Sequence, residues 1–144
     1  MTRYIVLVLS AVGTAVALAG CGMFLSGAQP LTPPAISNVQ IQPTRLRFSG
    51  GQVILMAEVR DADGVRAVTL AIQNPDGSTT TVTMEPAGAD TYRATVSLPP
   101  NVSASTQRYS FVVNAEDVFG VKSQSTATTL EVEGVSFPPD TPPI

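Results

Sequence analysis

Histidine and tryptophan are absent from the 144 residues, and cysteine occurs only once, at Cys21. Without histidine, a serine or cysteine nucleophile lacks its usual general base. Carboxylates remain as acid/base candidates, but most of them stand beside Gly, Pro or Asn in turns, where such side chains favour local hydrogen bonds to the backbone. A single cysteine also excludes an intrachain disulfide, so stability depends on core packing. We therefore expect no enzyme activity.

Basic residues are scarce as well. The chain has 8 Lys and Arg against 11 Asp and Glu, a net charge of −3, and it has no basic cluster, which argues against a nucleic-acid partner. Sugar rings commonly stack on tryptophan, so its absence weakens the case for carbohydrate binding. The length leaves room for a single domain.

The one long apolar run lies at the N terminus. Arg3 supplies a positive charge, residues 5–18 are almost wholly apolar, and small residues precede Cys21. This layout is typical of a secretory signal. The run is short for a membrane span, which takes about 20 apolar residues.

Residues 18–21, Leu-Ala-Gly-Cys, resemble the lipobox of bacterial lipoproteins at all four positions. The resemblance implies that the signal, residues 1–20, is cleaved between Gly20 and Cys21. It also implies that the Cys21 sulfur carries a diacylglyceryl group and its amino group a further acyl chain. Two or three acyl chains hold a protein stably on a membrane, so Cys21 would be a lipid attachment point. The alternatives are an uncleaved anchor, or an ordinary signal in which Cys21 is incidental.

Residues 21–35 contain Gly, Ser and three prolines and are expected to form a lipidated N terminus and flexible tether. In lipoproteins of this kind, Asp directly after the cysteine favours the inner membrane, whereas this chain has Gly22. We therefore expect an outer-membrane location in a bacterium with two membranes, and otherwise the outer face of the cell membrane.

A period-two pattern of apolar residues occupies residues 36–133 and predicts strands. Turn chemistry separates them, as in Asn-Pro-Asp-Gly at 74–77. Pro43 interrupts the first strand and places it at a sheet edge. About seven short strands predict an antiparallel β-sandwich. The predicted strands are 36–41 continued by 46–48, then 52–60, 65–73, 78–84, 91–98, 107–116 and 121–133.

Residues 109–120 read Tyr-Ser-Phe-Val-Val-Asn-Ala-Glu-Asp-Val-Phe-Gly. They resemble the penultimate strand and following turn of fibronectin type III and related bacterial Ig-like domains. The resemblance implies an Ig-like fold and a tyrosine corner at Tyr109, with its hydroxyl bonded to nearby backbone. The tryptophan common in fibronectin type III domains and the cysteine pair of antibody-type domains are both missing. This fold hosts many unrelated functions.

Acidic residues recur in turns at one predicted end of the sandwich. Alternate connections emerge at the same end, so we expect Asp61, Asp63, Asp90 and Asp117 to lie close together. Oxygen ligands converging from three loops suit Ca²⁺, which takes 6–8 of them. Local turn formation by each Asp is the alternative interpretation.

Two further features are candidate binding sites. Phe119 either anchors a partner from an exposed turn or caps the open end of the sandwich, and the cap is the favoured interpretation. The Thr-rich strand 78–84 is a candidate edge for docking a partner. Asn101-Val102-Ser103 fits the N-glycosylation pattern, which we interpret as a coincidence in a loop.

The Pro-rich residues 134–144 favour an extended conformation and are predicted to form a disordered tail. We expect the tether and the tail to lie at opposite ends of the sandwich, with the acidic loops on the tether side. Together these features predict a lipid-anchored envelope protein whose domain is a non-enzymatic binding or structural module for an unknown protein or glycan. The alternatives are an accessory subunit of an envelope complex, or a calcium- or carbohydrate-binding module. No cofactor is predicted apart from the covalent lipid.

Overall fold

Alternation of apolar and polar residues gives rise to ten β-strands in the computed structural model, which describes residues 31–136. Those residues contain no helix. The strands are β1 Ala35–Gln42, β2 Arg45–Leu46, β3 Gly51–Arg60, β4 Val65–Gln73, β5 Thr79–Thr83, β6 Glu85–Pro86, β7 Thr91–Leu98, β8 Gln107–Asp117, β9 Lys122–Gln124 and β10 Thr128–Val132.

The strands form two sheets. One has four strands in the order β1-β3-β7-β6, and the other has the order β2-β10-β8-β4-β5, with β9 paired to β8. All pairs are antiparallel except β2 with β10. This order corresponds to the A-B-E-D and G-F-C sheets of an Ig domain, with β5 as the additional C′ strand. The predicted all-β, Ig-like sandwich is confirmed.

The first predicted strand is two strands in different sheets. β1 pairs with β3 at the edge of the four-stranded sheet, whereas β2 pairs with β10 at the edge of the six-stranded sheet. Pro43 lies in the crossing segment between them and has no N–H to continue a ladder. The edge position of this segment was predicted correctly, and its continuity was not.

The last predicted strand is also divided, into β9 and β10. Between them, the Ser125 N–H donates to the Val113 carbonyl at 2.8 Å. The Val113 N–H in turn donates to the Ser125 hydroxyl at 3.0 Å. A side chain thus replaces a backbone acceptor at this point, and the regular ladder stops until Thr128.

The core lies between the sheets. Each fully buried Val, Leu or Phe side chain contributes about 1.5–3 kcal/mol by leaving water, and this burial stabilises a chain that has no disulfide. The buried residues of β3, β4 and β8 are those that the alternation predicts: Val53, Leu55, Ala57, Val59, Val68, Leu70, Ile72, Tyr109, Phe111, Val113 and Ala115.

The sandwich has two distinct poles. Ala35 begins β1 opposite Arg60, the last residue of β3, so the chain enters at the end that we call the N-terminal pole. Val132 ends β10 opposite Gln107, the first residue of β8, so the chain leaves at the other end, the C-terminal pole. The prediction that the two ends of the domain lie at opposite poles is confirmed.

Candidate functional site

Three turns meet at the N-terminal pole: residues 61–64 between β3 and β4, residues 87–90 between β6 and β7, and residues 118–121 between β8 and β9. Backbone hydrogen bonds join them to one another and to the adjacent strands. The Val59 N–H donates to the Asp90 carbonyl at 2.8 Å, and the Val118 N–H donates to the Gly64 carbonyl at 3.2 Å. All three acidic loops therefore lie at the pole where the chain enters the domain.

The carboxylates within these loops do not converge on a metal site. The Asp61 carboxylate accepts the Asp63 N–H at 2.8 Å, and the Asp90 carboxylate pairs with the Arg60 guanidinium at 2.9 Å. Nowhere in residues 31–136 do three or more acidic, Cys or His side chains form a group that could hold a metal ion. Local hydrogen bonds and ion pairs direct these carboxylates to separate partners, so the residues predicted to bind calcium form no ready-made site in the described part of the chain.

Asp117 is fully buried and organises the β8–β9 turn. Its Oδ1 accepts the N–H groups of Phe119 and Val121, both at 2.8 Å. Its backbone N–H donates to the Val121 carbonyl at 3.0 Å. Within the described part of the chain its Oδ2 has no hydrogen-bond partner, which is costly for a buried polar atom. Asp117 therefore forms the turn through its Oδ1.

This turn projects two apolar side chains into solvent. Phe119 is 62% exposed and Val118 is 50% exposed. We call this pair the apolar tip. The prediction that Phe119 caps the sandwich is wrong, because the bond from its N–H to the Asp117 carboxylate holds the backbone in a turn whose outer residues face water. Phe119 is instead exposed, as the alternative interpretation requires.

Charged side chains surround the apolar tip. Glu116 pairs with Arg66 at 3.4 Å and with Lys122 at 3.7 Å. Asp61 and Asp63 form no ion pair within residues 31–136. Exposed pairs of this kind contribute little to stability. Because Asp61 and Asp63 have no paired cation in this part of the chain, the N-terminal pole carries an excess of negative charge.

Tyr109 is buried at the start of β8, as the resemblance implies, but the tyrosine corner is not formed. Its hydroxyl makes no hydrogen bond within the described residues. Instead, Tyr109 lines a cleft of about 380 Å³ with Asp76, Pro99 and Pro100. Pro99 and Pro100 have no N–H that could donate to the Tyr109 hydroxyl. Burial, and then the charge of Asp76, raise the pKa of the Tyr109 hydroxyl above its ordinary value.

β5 is an exposed edge. It pairs with β4 alone. Two backbone bonds show which residues of β5 are hydrogen-bonded to β4. The Asn74 N–H donates to the Ser78 carbonyl, and the Met84 N–H donates to the Val68 carbonyl. The even-numbered residues of β5 therefore bond to β4, and Thr79, Thr81 and Thr83 present their N–H and C=O groups to the open side.

The outer face of the six-stranded sheet carries two shallow clefts beside this edge. One, of about 330 Å³, is lined by Thr69, Thr81 and Asn114 among others, with Glu116 and Lys122 at one end. The second, of about 350 Å³, continues past Asn114. Short hydroxyl and amide side chains thus make this face polar, without a deep pocket.

Asn101 has a structural importance that the sequence analysis missed. Its side chain is 1% exposed, and its amide donates to the carbonyls of Ser105, Val132 and Glu133 at 2.8–3.2 Å. Its Oδ1 accepts the N–H and the hydroxyl of Ser103 at 3.0 and 2.7 Å. The Asx turn could be predicted from the sequence, because Asn101 lies two residues before Ser103. The bonds of Asn101 to the end of β10 could not, because no neighbouring residue indicates them.

The predicted lipidation and cleavage site, Gly20 and Cys21, lies outside the described residues, as does most of the predicted tail. Residues 31–136 contain no helix that is long and apolar enough to cross a membrane.

No model of a known protein family matches the chain, and no curated protein matches it. Among solved structures, the chain is similar to a bacterial immunoglobulin-like domain from the M. primoryensis ice-binding adhesin. The alignment covers 72% of this chain and 96% of that domain, at 13% identity and a TM-score of 0.40. The strand order described above, rather than this alignment, defines the fold.

Proposed function

We propose that this protein is a bacterial lipoprotein. An acyl-modified Cys21 anchors it to the cell envelope, and its Ig-like domain is a non-enzymatic binding or structural module. The four-position match of residues 18–21 to the lipobox supports the anchor. The lack of histidine in the sequence supports a non-catalytic role.

The match of residues 18–21 to the lipobox carries the proposal, and the direction in which the chain runs through the domain indicates its orientation at the membrane. Ala35 lies at the N-terminal pole and Val132 at the C-terminal pole. Only 13 residues lie between Cys21 and Ala35, and such a segment spans at most about 3.3–3.6 Å per residue. The anchor therefore keeps the N-terminal pole close to the membrane and presents the C-terminal pole away from it.

The test is the intact mass of the N-terminal peptide from membrane-extracted protein. We expect a peptide that begins at Cys21 and carries added acyl mass. A Cys21→Ala variant should leave the membrane fraction or retain its signal, whereas a Ser26→Ala variant in the tether should behave as the wild type. An unmodified peptide that begins elsewhere would refute the lipid anchor.

A second candidate function is that of an accessory subunit that docks through β5. The open side of β5 supports it, because Thr79, Thr81 and Thr83 offer unpaired backbone groups to an extended segment of a partner. Charged or shortened edges are the usual protection against such pairing, and the five residues of β5 carry no charge.

Pull-down from solubilised membranes tests this candidate. Thr81→Pro removes an outward N–H without removing a bond to β4, so it should abolish capture of a stoichiometric partner. Thr81→Val, which keeps the backbone donor, should retain it. Capture that is equal for both variants, or monomeric behaviour of the wild type, would rule out docking through β5.

A further inference from the structure

We infer that the apolar tip, Val118 and Phe119, inserts into the headgroup region of the membrane that carries the anchor. The ligand is a zwitterionic lipid surface, and the inference rests on the proposed lipid anchor. Three observations support it: the position of the tip in the fold, the length of the tether and the charge around the tip.

The tip and the start of the domain lie at the same pole. β1 begins opposite the end of β3, and it contacts β8 and β9 of the facing sheet. The turn between β8 and β9 therefore projects beyond the strands beside the point at which the tether reaches the domain. A membrane that holds the tether therefore faces this turn, and Leu31, which is 55% exposed just before β1, lies on the same side.

The turn is held in an outward conformation. Both N–H groups that the Asp117 carboxylate accepts, those of Phe119 and Val121, point into the turn, so the side chains of Val118 and Phe119 remain outside it. Exposed apolar residues in such a position bury themselves at the boundary between headgroups and acyl chains. Two side chains bind a surface weakly when free, but attachment through a short linker raises their effective concentration to about the millimolar range.

The charges select the kind of lipid. Asp61 and Asp63 lie in the adjacent turn, and the cations Arg66 and Lys122 are paired with Glu116. Anionic lipids attract basic segments and repel an acidic pole of this kind. The tip therefore fits a zwitterionic surface, and insertion should weaken as anionic lipid is added.

Fluorescence of a single introduced tryptophan tests the inference, because the chain has none of its own. In the full lipidated chain reconstituted into phosphatidylcholine vesicles, Phe119→Trp should emit at shorter wavelength than in detergent-free buffer without vesicles. Lipids brominated on their acyl chains should quench that emission. Phe48→Trp is the matched control, since Phe48 is 51% exposed and its carbonyl accepts the Asn101 N–H at the C-terminal pole. It should show neither effect.

The outcomes separate the two proposals. A mass spectrum of the same sample without acyl groups refutes the lipid anchor, and with it this inference. A lipidated Phe119→Trp protein without a shift, or an equal shift for Phe48→Trp, overturns the insertion alone. A shift that persists in an unlipidated Cys21→Ala, Phe119→Trp chain without vesicles would identify association between protein molecules instead.

Discussion

The side-chain amide of Asn101 donates to the carbonyl of Val132, 31 residues further along the chain, at 3.2 Å. The same amide reaches the Glu133 carbonyl at 3.1 Å and the Ser105 carbonyl at 2.8 Å. One buried side chain thus joins the β7–β8 loop to the end of the last strand. The connection closes the C-terminal pole of a domain that has no disulfide.

Replacing Asn101 with Ala should lower the free energy of unfolding by about 3 kcal/mol, because several buried carbonyl and N–H groups lose their partner at once. Urea denaturation of the chain without its signal measures the loss. Val102→Ala is the matched control, since Val102 is 86% exposed, and surface changes of this kind stay within about 0.5 kcal/mol. Similar losses for both variants would contradict a connecting role for Asn101.

Replacing Tyr109 with Phe should change stability at neutral pH by less than about 1 kcal/mol, the net value of a hydrogen bond, because the hydroxyl has no partner in residues 31–136. The pKa of Tyr109 is raised by burial and by Asp76. The neutral hydroxyl therefore stabilises the fold up to the ordinary value of 10.0, and this contribution is lost as the pH rises further.

Above pH 10.0, the free energy of unfolding of Tyr109→Phe should therefore fall less steeply with pH than that of the wild type. Asp76→Asn should reduce the steepness to a smaller extent, because the charge of Asp76 is the lesser of the two causes. Chemical denaturation at a series of alkaline pH values gives both slopes. A large loss of stability at neutral pH for Tyr109→Phe would restore the tyrosine corner.

Local alternation was sufficient to locate the core. The apolar residues of β3, β4 and β8 recur at every second position, so their inward face and the sandwich class could be predicted from the sequence. The break between β9 and β10 could not, because it depends on the Ser125 hydroxyl replacing a backbone acceptor for Val113 across the sheet. Such a replacement leaves no periodic signal.

The candidate site was predicted at the level of loops but not of side chains. Topology alone placed Asp61, Asp90 and Asp117 at one pole, whereas the partner of each carboxylate is set by geometry within its own turn. The exposure of Phe119 likewise follows from the two N–H groups bonded to Asp117. A hydrophobic residue in a loop carries no sequence signal that distinguishes a cap from an exposed tip.

Calcium should leave the melting temperature unchanged. The Asp61 carboxylate is bonded to the Asp63 N–H, and the Asp90 carboxylate to Arg60, so binding would have to break existing interactions without a preformed set of ligands. Differential scanning calorimetry in excess calcium and in chelator makes the comparison. A calcium-dependent rise that Asp61→Asn abolishes would re-establish the metal site.

Two glycines provide a matched pair for the cost of a close backbone approach. Gly50 and Gly77 both have positive φ, at 68° and 84°, where Ala is strained by roughly 1–2 kcal/mol. A Cβ at Gly77 would meet no atom within 4 Å, whereas one at Gly50 would lie 2.4 Å from the Leu98 carbonyl oxygen.

Gly77→Ala should therefore cost only the backbone strain. Gly50→Ala should cost clearly more, because the Leu98 backbone, the last residue of β7, must move away from its ladder with β3. Equal losses in urea denaturation would mean that this corner of the sandwich yields freely, and that Gly50 is required for its φ alone.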